Sequence, residues 1–453
     1  MSDWCCVAAT LGALSVVAIH ASAVDAGPPV VALRLDVEPV WAGHPVGFCL
    51  LTQGRHQYAV YYDANRRMSV AQRTLASGKW RIHKLPSPAA VIGWDSHNYV
   101  TMAVDDEGTL HLSGNMHCRP LLYWRSAEPY DAASLKPVHR MTGRNERRCT
   151  YPKFLRGPDG RLIFHYRDGG SGNGAEICNV YDVKKKAWRR LLDTPLTDGR
   201  GKMNAYHVGP TRGPDGWYHM TWVWRDTPDC STNHDLCYAR SRDLVRWQTA
   251  GGKRIALPIT PGTKGVVVDP VPPRGGMLNG NGRIGFDGRG RVVLAYHKFD
   301  SAGNTQAYNA RWEGDRWRIY RTSNWKYRWY FLGGGSINTE IRLGPVVARP
   351  DGKLEQAFRH VRHGSKVWHL DEESLKPVAT RRPRPSRPAA LNRVESTFRD
   401  MQVRWARDTG RSPTPGVWYV LRWETLPRNR DRPRRGPLPK PSMLRLYKLK
   451  RSG

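Results

Sequence analysis

A chain of 453 residues, 40% of them hydrophobic, has enough apolar material for a full core, so neither a wholly disordered chain nor a disulfide-built miniature domain is expected. Its 72 Lys and Arg against 39 Asp and Glu give a formal charge of +33, which favours polyanionic partners. The basic residues are spread along the chain rather than gathered in one arm, so an acidic polysaccharide suits them as well as nucleic acid, and specific nucleic-acid readout is not expected.

In chain order, Cys5 to Ile19 is a short apolar run followed by small residues at His20-Ala21-Ser22-Ala23. This reads as a cleaved signal peptide over 1–26, although Asp3 stands where a basic residue is usual. It is too short for a membrane span and implies a secreted or periplasmic protein. After it, Asp/Gly turns recur before short apolar strands at Asp106–Gly108, Asp159–Gly160, Asp215–Gly216, Asp287–Gly288 and Asp351–Gly352. The glycines stand 52, 56, 72 and 64 residues apart, the length of one four-stranded blade with its loops. A tryptophan marks a late strand of several repeats, at Trp80, Trp188, Trp247 and Trp317. Helical periodicity is nearly absent, and 44 Gly with 33 Pro supply turns. The expected fold is all-β, a seven-bladed β-propeller of four-stranded antiparallel blades over 27–427. Residues 428–453 form a basic tail in which Met443–Tyr447 could be a closing strand, and Arg381–Arg387 is a surface excursion.

Two histidine segments head the candidate chemistry, Asp95-Ser96-His97-Asn98 and Asn115-Met116-His117. A strand, a tight turn and a second strand separate them, so His97 and His117 can converge at one blade rim. Imidazole titrates nearest neutrality, which makes a convergent pair a proton-transfer device, while either histidine alone also fits a satisfied rim residue. Asn98 could orient its neighbours or bind a sugar hydroxyl. Tyr151 and Arg167 lie sixteen residues apart, room for a strand, a turn and the return strand. Arg167 is expected exposed at a blade edge, where its planar guanidinium could hold both oxygens of a carboxylate. The glycine-rich stretch Gly169–Gly174 lacks the Lys-Ser/Thr ending and the helix of a phosphate cradle. Cys230, His234 and Cys237 have Cys-x3-His-x2-Cys spacing, with His219 on the expected neighbouring strand. The four could form a closed structural zinc site, or Cys230 and Cys237 a disulfide. No organic cofactor is implied, and oligomeric state is not readable.

The succession of Ser96-His97-Asn98, Asn115-Met116-His117, Thr150-Tyr151-Pro152, Tyr166–Gly174, Asn204-Ala205-Tyr206-His207, Trp224-Arg225, Asn233–Ala239, Gly275–Asn279 and Tyr296-His297-Lys298 resembles the BNR-4 propeller group over about residues 85–345. That group includes the ulvan lyases of polysaccharide lyase families 24 and 25 and related enzymes cutting rhamnosyl-glucuronate linkages. The resemblance implies β-elimination on an acidic, uronate-containing glycan, with a His and a Tyr sharing the acid and base duties among His97, His117 and Tyr151. It also implies that Tyr206 helps hold the substrate carboxylate and that His207 and Arg225 belong to the substrate rim. Two alternatives keep the fold: a glycoside hydrolase, and a non-catalytic binding propeller. A sialidase fits poorly, because Ser241–Trp247 is a degraded Asp box and no three-arginine arrangement can be placed.

Overall fold

Alternation of apolar and polar side chains dictates the strands: Val100–Val104 and Leu354–His360 bury every second residue, the period of a pleated sheet with one covered face. The computed structural model describes residues 27–86 and 92–452, so the expected signal segment lies outside the described residues. Among them the chain is all-β, with only short 3₁₀ turns beside the strands.

Consecutive strands form antiparallel meanders. Cys49–Gln53 leads one four-stranded sheet, Val100–Val104 the next and Cys149–Arg156 a third. Asn204–Arg212 leads a fourth, to which the short strand Val267–Asp269 adds a fifth member. An eight-stranded sheet follows. It consists of two four-stranded meanders, led by Arg283–Phe286 and Ile341–Ala348, joined by the single parallel bridge Phe286↔Val347. The last sheet takes its strands from both chain ends: Pro29–Val40 pairs with Ser442–Arg451, which pairs with Val417–Thr425, which pairs with Gln402–Arg407. Residues 442–451 are therefore an integral strand rather than part of an appended tail. This sheet docks on the first one, where Asp408 accepts from Thr52 N at 2.8 Å.

The repeated turns join the first and second strand of their units. Their glycines take left-handed backbone, as at Gly108 (φ 84°), Gly160 (φ 79°), Gly216 (φ 79°) and Gly352 (φ 79°), a conformation that costs glycine nothing. The equivalent in the Asp287 turn is Gly290 (φ 75°), which donates its N–H to Asp287 O at 3.0 Å; the sequence pattern had pointed to Gly288. Trp188, Trp247 and Trp317 lie on the fourth strands of their units. The apolar core fills the spaces between neighbouring sheets, with Trp124, Trp222, Trp224, Trp247 and Trp329 fully buried.

Candidate active site

The starts of first strands and the ends of second strands in successive units bring the candidate residues to one cleft of about 450 Å³, lined among others by His97, His117, Tyr151, Tyr206 and Arg225. Local backbone explains their aim. Asp95 caps the short turn Ser96–Asn98, and its Oδ1 accepts from both the backbone N of His97 (2.9 Å) and the ring Nδ1 (2.6 Å). His117 follows the strand Leu110–Gly114 and stands between two residues in left-handed backbone, Asn115 and Cys118, which turn the chain back toward Asp95. Its Nδ1 meets Asp95 Oδ2 at 2.5 Å. One carboxylate thus holds two imidazoles, stacked with centroids 4.1 Å apart.

The pair of short bonds also fixes the tautomer. Burial opposes the Asp95 charge, but the bonds from His117 and His97 outweigh it and hold the carboxyl well below the usual carboxylate range. An ionised carboxylate only accepts, so each ring donates from Nδ1, and a neutral ring keeps a lone pair on Nε2. Asp95, His97 and His117 are also the one group among the described residues whose side-chain donor atoms come close enough to hold a metal ion. Each carboxylate oxygen lies within hydrogen-bond distance of one imidazole Nδ1.

Tyr151 sits in left-handed backbone at φ 60°, inside a register shift between Thr150 and Lys153. For an aromatic residue this is a strained conformation, and such a bulge re-aims a side chain. The ring lies 5.6 Å from His97 and 6.1 Å from Tyr206, with the Arg167 guanidinium 4.9 Å from its centroid. Burial and the neighbouring Tyr206 push the Tyr151 phenol well above its ordinary value, against the pull of Arg167 and Arg225.

Arg167 departs from expectation in its exposure. It is 1% exposed and lies beneath the tyrosines, donating to Thr150 Oγ1 at 3.0 Å and Tyr206 Oη at 3.5 Å. The glycine-rich hairpin makes room for it: a Cβ on Gly174 would stand 3.0 Å from Arg167 Cδ. At the hairpin tip, Ser171 Oγ is 2.7 Å from Tyr206 Oη, and Arg225 donates to the same hydroxyl at 3.5 Å. Two guanidiniums and a serine therefore converge on Tyr206.

Two expected rim residues are not among those lining the cleft. His207 follows Tyr206 on one strand, so its side chain takes the opposite face. It borders a second cavity of about 590 Å³ behind the tyrosines, with Nε2 at 3.1 Å from Thr197 Oγ1 and Nδ1 at 3.7 Å from Glu176. Burial lowers its pKa despite that carboxylate. Asn98 is buried, and its backbone carbonyl accepts the Tyr62 hydroxyl at 2.6 Å.

The expected zinc ligands do not come together. His219 is held between Tyr238 Oη (2.6 Å) and Asp215 (3.0 Å), and His234 between Asp226 and Asp235 at 3.0 Å each. Cys230 packs in the core containing Trp329 and Phe331, whereas Cys237 packs with Trp222 and Trp247. His219 lies three residues along its strand from Trp222, the partner of Cys237, a step of roughly 10 Å. Both cysteines are free thiols, and the four side chains do not form a group whose donor atoms lie close enough to share a metal ion.

Sequence reasoning missed Asp95, although its place two residues before His97 signals a capping turn. It also missed Asp431, an acid within the basic C-terminal stretch. Asp431 accepts from Ser96 N (3.0 Å), Ser336 N (2.7 Å) and Ser336 Oγ (2.8 Å), and lies 3.5 Å from His97 Nδ1.

A family model described as a BNR repeat-containing family member matches residues 56–325. The short isoform of ulvan lyase from Alteromonas sp. (strain LOR) is 42% identical over 60 residues, 13% of this chain and 11% of the relative. The long isoform from Pseudoalteromonas sp. (strain PLSV) is 37% identical over 65 residues, 14% of this chain and 6% of the relative. The matches thus span about a tenth or less of these curated relatives. Among solved structures, the polysaccharide lyase Uly1 superposes with a TM-score of 0.60 at 13% identity, covering 93% of this chain and 99% of that one. A PL25 ulvan lyase bound to -[GlcA(1-4)Rha3S]- gives 0.59 at 12% identity, covering 92% and 96%. These likenesses establish the fold.

Proposed function

Since this chain belongs to the BNR repeat-containing family, we propose that it is a polysaccharide lyase that cleaves an acidic, uronate-containing glycan of the ulvan type by β-elimination. The observation that carries the reading is the Asp95-held histidine pair facing Tyr151 in a cleft backed by Arg167 and Arg225. The seven four-stranded units read as blades of one propeller, with the sheet that takes strands from both chain ends as its clasp. Export through residues 1–26 belongs to the same reading.

The chemistry follows from the groups present. Removing the proton at C5 of a uronate is hard because the adjacent carboxylate opposes carbanion formation. A carboxylate seated by the Tyr206 hydroxyl meets Arg225 directly and feels the Arg167 charge from beneath, in a site where screening by water is weak. Nε2 of a histidine held by Asp95 takes the C5 proton, the C5 electron pair forms the double bond to C4, and the C4–O bond breaks. Tyr151, kept protonated by burial, gives its proton to the departing oxygen. The two acids at the cleft are both committed, Asp95 to the two imidazoles and Asp431 to Ser96 and Ser336, which speaks against the hydrolase alternative and its usual pair of free carboxyl groups.

Incubation with ulvan and other uronate glycans, followed by the ultraviolet absorbance of an unsaturated uronate and by product mass, tests the reading. Products lacking the added water of hydrolysis support it, and saturated products or no cleavage of any acidic glycan overturn it.

A further inference from the structure

Between the strands Val417–Thr425 and Ser442–Arg451 the chain runs along one wall of the cleft, where Arg428 lines it. Just beyond, Arg430 (φ 64°) and Asp431 (φ 57°) stand one after the other in left-handed backbone. Two such non-glycine residues in succession are strained, and strain of this kind persists only where the surroundings hold it. What holds it is contact with residues 332–337, of which 334–337 line the cleft. Arg430 donates to Leu332 O at 2.7 Å and Gly334 O at 3.2 Å, and Arg428 to Ile337 O at 3.0 Å. A Cβ on Gly335 would collide with the Arg430 carbonyl, so wall and segment meet backbone to backbone.

Asp431 extends this contact to the histidines. Its Oδ2 accepts from Ser336 N at 2.7 Å, while Oδ1 accepts from Ser336 Oγ at 2.8 Å and, 335 residues away in sequence, from Ser96 N at 3.0 Å. Nε2 of the buried His44 lies 3.3 Å from Oδ1, and Nδ1 of His97 lies 3.5 Å from Oδ2. Burial opposes the Asp431 charge, but His44, Ser96 and Ser336 outweigh it and hold the carboxyl well below the usual carboxylate range. The acid is a fixed, ionised acceptor. Asp95 cannot take this part. Asp95, His97 and His117 all belong to the unit led by Val100–Val104, so their mutual bonds do not set the trio against Tyr151 and Arg225 on the next two units.

We infer that Asp431 is a positioning residue for the elimination: from the sheet that closes the ring it fixes the His97 turn and the 334–337 wall of the cleft at one separation. The inference rests on the lyase reading and gives Asp431 no proton to carry. Base and acid stand on different units, and a shift of about 1 Å between them can cost up to a hundredfold in rate. An acceptor that grips Ser96 beside His97 and Ser336 across the cleft removes that freedom.

The test is Asp431→Asn in the full chain. The amide keeps the size but turns one acceptor oxygen into a donor, so it cannot receive Ser96 N and both Ser336 donors together. On ulvan oligosaccharides kcat should fall about tenfold, with KM moved less. In the protein with 15N-labelled histidine, the His97 ring signals, assigned with His97→Ala, should shift. Asp408→Asn is the control for a merely structural part, because Asp408 holds the same closing sheet to the first one through Thr52. It should lower the melting temperature and leave kcat and the His97 signals in place. Should Asp431→Asn not fold, Asp431→Glu keeps the charge and both oxygens on a longer arm; it should fold and still lose kcat, and wild-type turnover there overturns the inference. Unmoved His97 signals or an unchanged kcat in Asp431→Asn overturn it too, as does an equal kcat loss in Asp408→Asn. A wild type that cleaves no acidic glycan overturns the lyase reading alone, because the His97 signals report on the ring without turnover.

Discussion

The cleft and the Asn233–Ser241 strand make an instructive pair. His97, His117, Tyr151 and Tyr206 are scattered over more than a hundred residues yet share one cleft, whereas Cys230, His234 and Cys237 fall within eight residues and share nothing. The cleft residues sit at corresponding ends of first and second strands in neighbouring units, and the fold gathers those ends together. The cysteines lie on one short stretch whose side chains are drawn into separate cores between different sheets. In a protein of repeated sheets, equivalent position within the unit brings residues together, and closeness in sequence does not.

The strongest way to break this comparison is to remove the proton-transfer groups. His97→Ala and Tyr151→Phe should each lower kcat by about 10³-fold, within the range for loss of a positioned acid or base, with circular dichroism unchanged. A drop of less than tenfold in both would leave the cleft without its assigned chemistry. Next in size, Arg167→Lys keeps a charge beneath the tyrosines but cannot reach Thr150 and Tyr206 together. Steady-state kinetics should show kcat down about 10²-fold with KM little changed.

Asp95→Asn sharpens the comparison by leaving both histidines in place. An amide cannot accept two imidazole N–H bonds at its two ends, so we expect a kcat loss of about tenfold and a displaced pH profile. The sign for stability follows from the depressed Asp95 carboxyl: its contribution is fully present above the ordinary carboxylate value and is lost as pH falls through its lower folded value. The melting-temperature gap between wild type and variant should therefore be widest near neutrality and narrow below about pH 4. The smallest effects belong to the two cysteines, of which Cys230 only borders the cleft through its packed side chain. Cys230→Ala and Cys237→Ala should each cost about 1–2 kcal/mol in denaturant unfolding, and a chelator should leave the melting temperature unmoved. A shared structural zinc would instead be worth roughly 10 kcal/mol or more.

How much was legible follows from these particulars. The Asp/Gly turns announced the hairpins because a tight turn needs left-handed backbone that glycine adopts freely, a purely local requirement; only at Asp287 did two nearby glycines hide which one bends. The histidine pair was legible because one hairpin separates its members. His207 was misplaced because Tyr206 beside it claims the cleft face and strand alternation sends the next side chain away. Arg167 was expected in solvent, yet the space over Gly174 lets it lie flat beneath two rings.

By itself the sequence determined the all-β class, the repeat and the family of its motifs, since period, turn chemistry and residue type are properties of short segments. The tertiary structure alone decided that Asp95 serves two histidines and that Asp431 reaches back to Ser96 and Ser336. The Asp431 bonds join segments 95 and 335 residues apart, and Asp95 reaches His117 across a hairpin of 22 residues. No local propensity encodes them, because they exist only once each sheet has packed on its neighbours and the strand Ser442–Arg451 has paired with Pro29–Val40.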